Sequence, residues 1–371
     1  MQPAAREPVL LYFSPGHDHT EYRVGCSSWL DASLLAEGSF YPDPKMAAEE
    51  RLQWYARFFD CVEVNATYYS PPSSRNSQLW AARTPPGFEF AVKAYSLMTG
   101  HHPKAQALPK DLKEMLPHPL PVNPRGEIDR KHFPREALAL CFQWFREALA
   151  PLDLAGKLSY LLFQFAPWIG YSSKGLDYLA SLPAEFPGWR TAVEFRNPSW
   201  IPQRTDEVLR FLADHGIIYV ALDCPWQPFI PAATADWAVL RFHGRNIRGW
   251  EAQMKGKQPS VAEKYDYLYS PDELAALAET TRRFHGKVRR AYVKFNNNNR
   301  DYPIRNGLTF RQLLGQATAN LDALKAEYAA SRKACANPPR AAAVRAPTRP
   351  RSGSGGSPSG SRPTIFGAVV C

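Results

Sequence analysis

The chain has 371 residues, 45% of them hydrophobic, which is enough for one large domain with a sizeable core. No apolar run approaches the roughly 18 residues of a membrane span, and residues 1–22 lack the apolar stretch of a signal peptide, so the expectation is a cytoplasmic protein with no membrane partner. The net charge of +10 invites a nucleic-acid reading, but residues 331–371 carry seven basic side chains and no acid, while the preceding 330 residues hold 38 basic and 35 acidic, so most of the basicity belongs to a tail.

In chain order, residues 1–22 read as a loose leader and Arg23 to Ser28 as the first strand. A loop rich in aromatics runs through Phe40, Tyr41 and Pro42, and a helix follows over Ala47 to Asp60, where Leu52, Tyr55, Phe58 and Phe59 recur at helical spacing. Cys61 to Asn65 is the second strand, Ser73 to Arg83 a helix and Phe88 to Ala94 the third strand. Residues 99–134, with many prolines, do not fit a simple crossover; a connection this long reads as a functional lid or a disordered insert. Helix returns at Arg135 to Leu149. Leu158 to Phe165 is a fourth strand, apolar enough to be covered on both faces.

A weak helix over Ser172 to Leu182 precedes the fifth strand, which opens the stretch TAVEFRNPSW at 191–200 and is ended by Asn197-Pro198. Thr205 to His215 is a helix closed by Gly216, and Ile217 to Leu222 the sixth strand. Residues 224–236 hold three prolines, so the sixth crossover helix is expected to be irregular or missing. Trp237 to His243 is the seventh strand, residues 244–270 a long polar loop, Pro271 to His285 a helix capped by Ser270, Arg289 to Phe295 the eighth strand, and Arg305 to Ala329 the last helix. The Pro, Arg, Ser and Gly of 331–371 make a basic, low-complexity, disordered tail. Eight strands with intervening helices over residues 23–330 predict an α/β fold, a TIM-type (β/α)8 barrel. An open doubly wound sheet would want a GxGxxG or Walker sequence, and none occurs. The six cysteines are scattered without a CxxC pair and read as buried thiols in a reducing compartment.

Side chains alternate along a strand, so an apolar face turned to the helices leaves the other turned into the barrel. That inward set is polar near the strand ends: Glu63 and Asn65, Lys93, Gln164, Glu194 and Arg196, Asp223, Arg241 and His243, Lys294 and Asn296. Buried ion pairs often gain nothing over apolar packing, so such a layer points to a site. The competing reading is a polar plug satisfied by Glu194–Arg196 and Glu63–Lys93 pairs. Glu63, Glu194, Asp223 and His243 have the ligand chemistry for Mn, Mg or Zn, but no compact motif joins them and Lys93, Arg196 and Arg241 oppose a cation, so a metal is not favoured and no cofactor is assigned. Arg245, just beyond the seventh strand, suits a phosphate or carboxylate. His101 and His102, in the insert, could close over the site.

VGCSSW at 24–29, FYP at 40–42, VEVNATYY at 62–69, Trp80 with TPPGFEFAVKA at 84–94, LLFQF at 161–165, AVEFRNPSW at 192–200, RFHGR at 241–245 and FNNNNRDYPIRNGL at 295–308 together resemble domain-of-unknown-function family 72, the YecE-like proteins. The resemblance covers about residues 23–325, implies a TIM-type barrel and brings no established reaction. The polar positions it matches are Glu63, Asn65, Lys93, Gln164, Glu194, Arg196, Arg241, His243, Arg245 and Asn297. The insert looks longer than the family pattern, and the tail is an addition.

The leading expectation is an enzyme, a hydrolase or isomerase, acting on a small anionic ligand such as a phosphorylated sugar or nucleotide fragment. Glu194 or Glu63 would be the base, His243 the acid, Arg196, Arg241, Arg245 and Lys93 the anion clamp, and Asn65, Gln164 and Asn297 further contacts. One alternative is nucleic-acid binding, non-specific through the tail and aided by Trp29, Tyr68, Tyr69 and Trp250. Another is a non-catalytic ligand-binding protein.

Overall fold

The computed structural model describes residues 9–14, 16–254 and 261–336. Its centre is a closed barrel of eight parallel strands: β1 (Glu21–Ser27), β2 (Cys61–Val64), β3 (Glu89–Lys93), β4 (Leu158–Gln164), β5 (Thr191–Glu194), β6 (Ile218–Asp223), β7 (Trp237–Phe242) and β8 (Arg290–Phe295). Neighbours follow sequence order and β8 closes onto β1, pairing Lys294 with Gly25. The β1–β2 contact depends on that glycine, because a Cβ on Gly25 would sit 2.0 Å from the Cys61 carbonyl oxygen. The Tyr55 hydroxyl completes the seam, accepting from Cys26 N–H at 2.8 Å and donating to Cys61 O at 3.1 Å.

Helices cover the outside because each presents an apolar stripe to the strands. They include Ala48–Tyr55, Ser74–Ala82, Arg135–Leu154, Ser173–Glu185, Thr205–Asp214 and Pro271–Arg282. The last starts with a capping box: Ser270 Oγ accepts from Glu273 N–H, and Glu273 accepts from Ser270 N–H at 2.9 Å. Between β6 and β7 there is no helix, as the prolines of 224–236 require; Ala232–Ala233 instead pairs in parallel with Leu10–Leu11.

That pairing corrects the expectation of a loose leader for the described part of residues 1–22; residues 1–8 lie outside the described residues. Thr20 Oγ1 also donates to the carbonyls of Phe284 and Val288, and β1 begins at Glu21. The stretch 99–134 is folded rather than structureless. It contains the helix Lys110–Glu114, short 3-10 turns at Ala105–Ala107 and Arg130–His132, and antiparallel bridges Lys104–Glu127 and Val122–Ile128, over buried Leu108, Leu112 and Ile128. The polar loop 244–270 includes helices Ile247–Met254 and Val261–Lys264. The helix expected over 305–329 is two, Tyr302–Leu313 and Leu321–Ala336, separated around Gly315 at φ 75°. The helix Leu321–Ala336 belongs to a unit separate from the barrel and carries Arg332 and Lys333, so the expected tail begins inside a helix. The remainder of the tail, 337–371, lies outside the described residues. Cys26, Cys61, Cys141 and Cys224 are free and buried. Among the described residues no helix is long and apolar enough to cross a membrane.

Candidate active site

Cys61, Ala91, Leu162, Ala192, Val239 and Tyr292 belong to one apolar cluster inside the barrel. Two residues further along the same strands, and therefore on the same inward face, stand Glu63, Lys93, Gln164, Glu194, Arg241 and Lys294. The next inward step past β7 and β8 reaches His243 and Asn296. Alternation thus stacks a charged layer on an apolar one at the carboxyl ends of the strands.

Arg241 is the hub. It is fully buried and grips Glu63 with two bonds, Nη2 to Oε1 at 2.6 Å and Nε to Oε2 at 3.0 Å. Its Nη1 donates to Glu194 Oε2, and Arg196 donates to the other oxygen of Glu194. Arg196 also donates to Gln164 Oε1 at 3.2 Å. Burial alone would raise the Glu194 carboxyl, but Arg196 and Arg241 hold it well below the usual carboxylate range. His243 Nε2 lies 3.3 Å from Arg241 Nη1 and 3.4 Å from Arg196 Nη2, and Nδ1 lies 2.6 Å from the Asn296 amide. Burial, then Arg196, push His243 down to about 3, so it is neutral near pH 7.

One expected pairing and one expected direction are corrected. Glu63 pairs with Arg241, not with Lys93. Asp223 faces away from the barrel axis, because β6 turns Ile218, Val220 and Leu222 inward. That strand is apolar on both faces, so periodicity gives no parity. Asp223 instead binds Arg245 at 2.8–3.1 Å and accepts from Tyr269 Oη at 2.6 Å, and Arg245 also meets Glu273 at 3.1 Å. Arg245, expected in the anion clamp, is therefore neutralised elsewhere. Asn297 does not line the cavity described below: its amide donates to Tyr267 O at 2.8 Å and Asn306 Oδ1 at 2.9 Å.

Above the charged layer is a cavity of about 310 Å³. Lys93, Arg196, Gln164 and Asn65 front it, as do Asn296 and Asn298, the neighbours of Asn297 on alternate positions of the NNNN run. Tyr68, Tyr69, His101, Trp168, Lys264 and Tyr265 complete its walls. Tyr68 and Tyr69 had suggested stacking and His101 a closing residue; Trp168, Lys264 and Tyr265 lie on connections where no periodicity marks a direction. His102 does not reach the cavity and stacks on Trp168, ring centroids 5.0 Å apart.

Among the described residues Lys93 Nζ makes no hydrogen bond or ion pair; it sits 4.5 Å from the centre of the Tyr68 ring. Burial and then Arg241 lower it to about 7. Lys294, on β8 beside the Arg241 strand, is fully buried, and among the described residues its Nζ also lacks a hydrogen bond. Ser28, at the mouth of β1, holds φ 102°, a costly angle for a side chain with a Cβ, and Asn298 donates to the adjacent Ser27 O at 2.8 Å.

A larger cleft of about 700 Å³ opens at the amino ends of the strands, lined by Glu21, Arg23, Asp60 and Arg282 among others. Its charges are matched, Arg23 with Glu21 and Arg282 with Glu279, so size alone does not make it the better candidate. Among the described residues no three His, Cys, Asp or Glu side chains converge to hold a metal. Glu63 and Glu194 point at Arg241, and Asp223 is turned away. Trp29, suggested for base stacking, is buried edge-on against Trp80; the Trp250 side chain lies outside the described residues.

The family described as Protein of unknown function DUF72 matches residues 23–331. The UPF0759 protein YunF of Bacillus subtilis (strain 168) is 31% identical over 298 residues, 78% of this chain and 94% of that protein. A DUF72 family protein of Thermotoga maritima MSB8 has a solved structure that superposes with a TM-score of 0.59 at 30% identity, covering 80% of this chain and 99% of that one. One from Enterococcus faecalis V583 has the same fold, with a TM-score of 0.61 at 24% identity over 81% and 100% of the two chains.

Proposed function

The chain belongs to the DUF72 family, and from that premise we propose an enzyme that acts on a polar, anionic small molecule at the carboxyl-end face of its barrel. The observation that carries this reading is an imbalance of charge. The inner cluster has two carboxylates, Glu63 and Glu194, and both are taken by Arg241 and Arg196. Lys93 is left at the cavity without an acidic partner, beside Arg196. A phosphate or carboxylate would supply the missing charge, with Gln164, Asn65 and Asn296 as hydrogen-bonding neighbours.

In this reading the roles are exchanged relative to the expectation from sequence. Glu63, Glu194, Arg241 and neutral His243 form the scaffold that aims Arg196. Lys93, titrating near neutrality, exchanges the proton. The reaction is a hydrolysis or an isomerisation. The free, buried cysteines support the cytoplasm as the setting.

Calorimetry and thermal shift with inorganic phosphate, simple phosphomonoesters and small carboxylates test the site. A saturable ligand at 100 times its Kd stabilises the fold by about 2.7 kcal/mol, and Arg196→Lys should weaken binding. If none of these anions binds, the reading falls; tight binding without turnover would favour a ligand-binding protein.

A further inference from the structure

The reading above leaves open what Lys93 does to a bound molecule. We infer that Lys93 is a nucleophile that forms an imine with an aldehyde or ketone carrying a carboxylate or phosphate. The inference rests on the proposed anion site and deepens it.

Three features of the geometry support it. Lys93 ends β3 with its head at the cavity and lies over the face of Tyr68, and among the described residues no carboxylate pairs directly with its ammonium. Arg196, on the same cavity, is positioned to hold the anionic end of a substrate while the carbonyl end meets Nζ. His101 also lines the cavity; its Nδ1 is engaged by Thr99 Oγ1 at 2.9 Å, and among the described residues Nε2 has no hydrogen bond. Burial, then Lys93 and Arg196, keep His101 neutral, so Nε2 offers a hydrogen-bonding nitrogen to the carbinolamine at the cavity.

The step balances without a further reagent. The neutral amine adds its lone pair to the carbonyl carbon, and the C=O electron pair moves to oxygen. One proton passes from nitrogen to that oxygen, giving a carbinolamine. Loss of water then forms the C=N bond, so amine plus carbonyl gives imine plus water. Desolvation and neighbouring cations are the general means by which a lysine is kept neutral for such an attack. Lys294, enclosed below the cavity, has no such access.

The test uses the full chain with glyoxylate as a carbonyl bearing a carboxylate, acetaldehyde as a carbonyl alone, and sodium cyanoborohydride to reduce the imine to a stable secondary amine. Peptide mapping by mass spectrometry should place the adduct on Lys93. Labelling should exceed that of surface lysines by more than about a hundredfold at pH 7.5, where an ordinary lysine is only about a thousandth neutral. The Lys93 rate should rise with pH around 7. Glyoxylate should outpace acetaldehyde, and inorganic phosphate should protect.

If phosphate binds in calorimetry yet Lys93 labels no faster than other lysines, the imine inference is overturned and the anion site stands. If Lys93 is labelled preferentially, but equally by both aldehydes and without protection by phosphate, imine chemistry stands and the anionic reading fails. Using the wild-type chain avoids any dependence on a substituted Lys93 that fails to fold.

Discussion

The two inner layers of the barrel come from the same strands, two residues apart, and differ in kind. The lower layer, with Tyr160, Leu162, Ala192, Val220 and Val239, is apolar and needs only volume. The upper layer is charged, and Arg241 touches both Glu63 and Glu194 within it. A chain selected for stability alone would have no reason to charge one layer and not the other, since ion pairs taken out of water seldom outperform apolar packing. The difference teaches that direction into the barrel is set by alternation, while chemistry is set by distance from the carboxyl ends.

The comparison is tested hardest by removing the hub. Arg241→Met leaves two buried carboxylates without their shared guanidinium and should lower stability by about 3–5 kcal/mol. Adding Glu63→Gln should recover part of that loss in urea unfolding, because one uncompensated charge is gone. Leu162→Ala in the lower layer should cost about 2–5 kcal/mol through a cavity, with no effect of Glu63→Gln beyond simple addition. If the two layers responded alike to Glu63→Gln, the distinction between them would collapse.

A smaller effect concerns pH. His243 is lowered from 6.5 to about 3 in the fold, so between those values the unfolded chain binds more protons. Its contribution to stability is therefore present above about 6.5 and lost as pH falls toward 3. Glu194 acts in the same direction lower down, present above the usual carboxylate range and lost as pH falls through its depressed value. His243→Gln should flatten stability against pH from 6.5 downward while leaving the Glu194 limb, measured by denaturant titrations across that range. An unchanged slope would mean that His243 does not titrate as its surroundings require.

The smallest effect is expected at Arg245. Half-exposed and paired with Asp223 and Glu273, it lies outside the upper layer. Arg245→Met should leave phosphate affinity unchanged in calorimetry and cost less stability than Arg241→Met, because Asp223 keeps its bond from Tyr269. A marked loss of affinity would return Arg245 to the site and redraw the boundary between the clusters.

Much of this was legible in the chain. Hydrophobic alternation and turn residues determined the eight strands, the missing sixth helix and the inward direction of Glu63, Lys93, Gln164, Glu194 and Arg241, because period and parity are local properties of a strand. Where a strand is apolar on both faces, as in β6, parity vanishes, and Asp223 was placed on the wrong side. Only the tertiary structure decided which charge meets which. Glu63 and Arg241 are 178 residues apart and become partners through closure of the barrel. Arg245 and Arg196 have similar local settings, each just past a strand, yet one is neutralised by Asp223 and the other fronts the cavity. Charge pairing depends on distance across the ring of strands, which no local pattern encodes.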